Sequence, residues 1–160
     1  MVDLFDLVIQ YYFHPATKGS NSIKKVLPAI LSTSTHLQDK YLKPIYGRHG
    51  DVTSLNFENL AWVEKKDGLI IDPYKKLPPI FDDYDRETLD LLFQDDELAD
   101  GGAAMTAYAY LQFSEMSPEE REKIRMALLK YCELDTFAMV LIFEYWKEAL
   151  QSTAQAEEVA

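Results

Sequence analysis

The sequence predicts a mainly α-helical protein with a small β-hairpin in its middle. Three observations predict it. Apolar residues recur at helical spacing near both ends of the chain, the last third carries a helix-start signature ahead of a long apolar run, and the turn dipeptide Asp67-Gly68 lies between two short apolar runs.

The first element is a helix within "DLFDLVIQYYF", where Leu4, Leu7, Val8 and Tyr11 fall on one face. Pro15 and Gly19 in "HPATKGSNS" end it. Ser20 or Asn21 can then cap a second helix, "SIKKVLPAIL", whose face is Ile23, Val26, Leu27 and Ile30, with Pro28 expected to kink or shorten it. "THLQDKYL" adds a further helical piece ending before Pro44. From Ile45 to Pro79 the periodicity loosens, and "LAWVEKKDGLIIDPY" reads as the hairpin. "DPYKKLPPIF" reads as rigid loop, and a short helix is expected around Leu89 to Phe93. After Gly101 and Gly102, "AAMTAYAYLQF" predicts a helix packing Met105, Tyr108 and Leu111 or Gln112. In "SPEEREKIRMALLKY", Ser117 is the cap, Pro118 the first residue and Glu120 the acid that reaches back. The run "ELDTFAMVLIFEYWKEAL" is apolar nearly all round and predicts a buried central helix, with residues 151–160 a frayed tail. The expected organisation is one domain over 1–150, helical over 1–44 and 101–150, with 45–100 an irregular insertion holding the hairpin and an acidic loop.

Composition narrows the function classes. The formal charge is −11, and 82–100 alone contributes −8, against +2 for 1–81 and −5 for 101–160. Such a chain lacks the basic stripe of a self-sufficient nucleic-acid binder, so contact with nucleic acid needs metal ions or another polypeptide to offset the charge. No apolar run approaches the ~20 residues of a membrane span. The acids in "MVDLFDLVIQ" do not suit a secretory signal, so a cytoplasmic location without membrane contact is expected. Cys132 is the only cysteine; it reads as a small buried apolar residue rather than a nucleophile, since none of the three histidines lies near it in sequence. Asp83, Asp85 and Glu87 imitate a calcium loop, but Thr88 and Gln94 stand where glycine and glutamate are required. A solvated or partner-facing acidic loop is the better reading.

One stretch, "KYCELDTFAMV", places Tyr131 and Asp135 four residues apart. On a helix the two share a face and could present a phenol and a carboxylate to one point. With 10 tyrosines and 14 aspartates in 160 residues, chance alone supplies about one such pair. The competing structural reading makes Asp135 the cap of the last helix, which would satisfy an acid ahead of an apolar run.

The surrounding words add to the spacing. "ALLKYCELDTFAMVLIFEYW" resembles the last motif of the DEDD-type 3′–5′ exonucleases, tyrosine variant. It is closer still to a bacterial domain-of-unknown-function family often joined to RecB-like or Cas4-like nuclease segments. "DLFDLVIQYYFHPATKGSNSIKKVLPAIL", "IDPYKKLPPIF" and "DGGAAMTAY" extend the similarity over most of the chain.

That resemblance implies the helical C-terminal portion of a ribonuclease H-like α/β domain. It also implies a metal-dependent nuclease chemistry in which Mg2+ or Mn2+, held by four carboxylates, activates water against a phosphodiester. Asp135 would be the last metal-binding acid, Tyr131 would orient or deprotonate the water, and Lys24 or Lys25 could meet a nucleic-acid phosphate. The family's Asp-x-Glu strand and second aspartate lie upstream of the segment matching "VDLFDLV", and "DRE" at Asp85 to Glu87 matches only by letter. Little hydrolysis is therefore expected from this polypeptide alone. It would need a missing N-terminal nuclease segment or another protein to complete it. The alternative is a non-catalytic interaction module of nuclease ancestry, and in either case exposed apolar surface, with self-association as one outcome, is expected.

Overall fold

A computed structural model describes residues 3–78 and 98–158 of the chain. The protein is mainly helical, as expected. The elements run α1 (Leu4–Tyr11), α2 (Ile23–Thr33), α3 (Thr35–Tyr41), four two-residue strands, α4 (Leu98–Phe113) and α5 (Pro118–Glu158). The contacts divide them into two compact units, one of Met1–Pro73 with Leu134–Ala160, the other Tyr74–Glu133.

In the first unit, Asp3 caps α1 by accepting from the Phe5 N–H at 2.8 Å. The chain then turns through a 3-10 segment, Pro15–Thr17, and reverses at Lys18 and Gly19, both at positive φ. Ser22, not Ser20 or Asn21, stands at the N-cap of α2, and it makes no side-chain cap bond. Ser20 Oγ instead accepts from the Ser22 N–H. Pro28 does not cut α2 short: the helix continues to Thr33. Ser34 is the shared joint, ending α2 and capping α3 by accepting from the Leu37 N–H at 3.2 Å.

Two small pairings follow. β1 (Tyr46–Gly47) runs parallel to β2 (Val52–Thr53), and Tyr46 also bridges Leu60. Sequence periodicity missed this pair because it is built by a tight loop, not by alternating side chains. At Gly47, φ is +149° and an added Cβ would lie 2.1 Å from the Glu58 carbonyl oxygen, so backbone approach dictates glycine. The predicted hairpin exists, as β3 (Lys65–Lys66) against β4 (Leu69–Ile70). Asp67 and Gly68, at φ of 52° and 79°, supply the two left-handed residues of the turn. Its strands are shorter than the apolar runs suggest, because Trp62 and Val63 leave the hairpin for the core. "DPYKK" forms a 3-10 turn, Pro73–Lys76.

The core of this unit is aliphatic on α2 and α3 and aromatic where they meet the last helix. Val26, Leu27, Ile30, Leu31 and Leu37 are buried, with Leu134, Phe137, Ala138, Leu141 and Ile142 of α5. Phe137 is the hub of the aromatic part, with ring centroids 4.6 Å from Tyr46, 5.5 Å from Tyr41 and 6.0 Å from Trp62. The expected all-round burial of "AMVLIF" is corrected: Met139, Val140 and Phe143 are exposed. Only the stripe at i, i+3, i+4, i+7 and i+8 from Leu134 goes inward.

In the second unit, α4 and the first part of α5 form a helical hairpin around Ala107, Leu111 and Ile124, with Tyr110, Met116 and Leu128 against them. Met105 and Tyr108, expected inside, point outward; the small Ala107 takes the inner position instead. α4 begins at Leu98 and runs through Gly101 and Gly102, which were expected to precede it. The capping box at the start of α5 forms as predicted. Ser117 N–H and Oγ–H both donate to Glu120 Oε2, at 2.8 and 2.9 Å, and the Glu120 N–H returns to Ser117 Oγ at 3.2 Å. Arg121 closes the hairpin by donating to the Leu111 and Ser114 carbonyls. At the other end, α5 continues to Glu158, so residues expected to fray extend the helix.

Candidate functional site

Tyr131 and Asp135 both belong to α5, one turn apart. This corrects the cap reading. Asp135 is an interior residue of a 41-residue helix whose N-terminus is at Pro118, so it faces no row of unpaired N–H groups. The cause is local: "EREKIRMALLKYCEL" contains no breaker between the Ser117 box and Asp135, and a single continuous helix results where the sequence suggests two.

Both side chains are half-buried. Tyr131 lies in the second unit, with its ring centroid 6.3 Å from that of Tyr74. Asp135 lies in the first unit. Its helical face continues, at i+4, i+7 and i+8, as Met139, Ile142 and Phe143. Those three residues line a groove of about 860 Å³ with Leu4, Phe5, Leu7 and Val8 of α1 and Ile23 and Val26 of α2. Asp3, Asn21 and Ser22 are its polar lining residues. Phe5 and Phe143 are 56% and 60% exposed along it. Exposed apolar side chains, as expected from the sequence, thus border the groove.

Lys24 and Lys25 occupy the first turn of α2, next to the groove-lining Ile23 and Val26. Lys24 is half-buried and Lys25 exposed. Asp83, Asp85 and Glu87, together with the short helix expected at Leu89 to Phe93, lie outside the described residues. Cys132 is exposed, against its reading as a buried residue.

A metal ion of the two-ion kind needs several convergent carboxylates. Among the described residues, no three His, Cys, Asp or Glu side chains converge to hold one. Asp135 does not by itself fit such an ion, and no catalytic step through a metal is derived from these residues.

The sequence reading also missed a polar cluster in the first unit. Glu144 of α5 accepts from Lys40 Nζ at 2.8 and 3.0 Å and from the Tyr41 hydroxyl at 3.0 and 3.2 Å. Nearby, Ser34 Oγ donates to Glu148 at 3.2 Å. Burial, with the negative Glu144 alongside, outweighs Lys40 and raises the Tyr41 pKa. For Lys40, burial pulls downward, yet the bonds to Glu144 and Tyr41 prevail and the pKa is raised. The cluster ties α3 to α5 with a carboxylate that has a polar partner on each side, a structural use of charge. Its signal was the single acid interrupting "LIFEYW".

The described residues contain no helix long and apolar enough to cross a membrane. Comparison with protein-family models, with curated proteins and with solved structures finds no match to this chain.

Proposed function

We propose that this chain is the helical portion of a metal-dependent, DEDD-like 3′–5′ exonuclease, in which Asp135 contributes one carboxylate to a site that a further segment completes. One observation carries the reading. Asp135 sits half-buried in the interior of α5, where no cap requires it, on the helical face that continues into an open apolar groove. Aspartate is among the poorer residues for a helix interior, so a use beyond helix formation is favoured. In this reading the groove receives the completing segment, which brings its own acids beside Asp135. Tyr131 then stands one turn away as the water-orienting phenol, and Lys24 or Lys25, on the first turn of α2, meets a phosphate. Mg2+ or Mn2+ and a nucleic-acid substrate rest on the resemblance in "KYCELDTFAMV".

The test is a nuclease assay on single-stranded DNA and RNA with Mg2+ or Mn2+. It uses the chain alone and the chain reconstituted with an upstream segment carrying an Asp-x-Glu strand. The expected result is hydrolysis only in the complex, reduced at least about 100-fold by Asp135→Asn. Full activity of the Asp135→Asn complex would overturn the reading.

The groove itself favours a second reading, a non-catalytic module that associates through this face with a second copy. Light scattering at about 100 µM then gives a dimer that Phe143→Asp converts to monomer, since apolar burial drives association at such a face. A strictly monomeric wild-type chain would exclude this second reading while leaving the first intact.

A further inference from the structure

No further inference is drawn: the strongest candidate, the apolar groove between α1, the start of α2 and the Met139–Phe143 face of α5, belongs to the site already described, and nothing in the structure shows what covers it.

Discussion

Replacing Phe137 with alanine tests the packing that orients the last helix. Phe137 is 6% exposed and touches three aromatic rings, with centroid separations of 4.6 Å to Tyr46, 5.5 Å to Tyr41 and 6.0 Å to Trp62. Those partners belong to α3, β1 and the segment before β3, so no single neighbouring element can move in to refill the space. Truncation of a buried phenylalanine costs about 3–5 kcal/mol, through lost transfer energy and the residual cavity. A site walled by rigid rings on separate elements belongs at the upper end of that range. Phe137→Leu keeps most of the apolar volume and loses mainly the edge contacts, about 0.5–1.5 kcal/mol. Urea unfolding followed by near-ultraviolet circular dichroism reads both variants, provided the slope against urea stays constant. The alanine variant should lose several times what the leucine variant loses. An alanine loss below about 1.5 kcal/mol, or equal losses for the two, would refute the assignment of Phe137 as the hub.

Two other substitutions probe the same unit. Gly47→Ala should cost more than about 2 kcal/mol, because its Cβ meets the Glu58 carbonyl at 2.1 Å, whereas Gly19→Ala, with nothing within 4 Å, should cost only about 1–2 kcal/mol for its φ of +82°; comparison of urea midpoints decides it. Tyr12 has a buried hydroxyl without a hydrogen-bond partner among the described residues, and burial first, then the neighbouring Tyr145, pushes its pKa up from 10.0 to about 12. The folded state therefore favours the neutral phenol, and stability that is complete below pH 10.0 should fall as the pH rises toward about 12. Tyr12→Phe should gain about 1 kcal/mol at pH 7 and flatten that alkaline decline, which unfolding curves at pH 8 and pH 11 would reveal.

The sequence was most informative where a single local signal dictates geometry. The Ser117-Pro118-Glu120 box and the Asp67-Gly68 turn formed as read, because each is decided by hydrogen bonds and dihedral preferences within a few residues. It was least informative where tertiary contact chooses among similar residues. Met105 and Tyr108 have the right spacing for a core face, yet Ala107 is buried and they are exposed, because packing against α5, not spacing within α4, selects the inward face. The β1–β2 pair was invisible for a related reason: two residues have no period, and the glycine that permits the loop is identified only by the carbonyl it approaches.

The candidate site shows both limits at once. From residues alone, Asp135 read first as the cap of a new helix and only second as an acid inside one, although "CELDTF" holds no breaker. The continuous α5 removes the first alternative and changes what has to be explained. A capping aspartate lowers the free energy of folding by bonding the N–H groups that a helix start exposes. An interior aspartate on the approach to an apolar groove gains nothing of that kind and keeps the propensity cost. Glu144, two and a half turns further along the same helix, also interrupts an apolar run, and a lysine and a tyrosine from α3 hold it at hydrogen-bond distance. Asp135 lies on the face that leads to Met139, Ile142 and Phe143, where the surface is apolar and open. In the proposed reading, the segment that covers that face also meets this carboxylate. The same contact that buries the exposed phenylalanines would therefore decide whether Asp135 acquires the partners of a metal site, which makes association and any hydrolytic activity coupled events in the proposed reading.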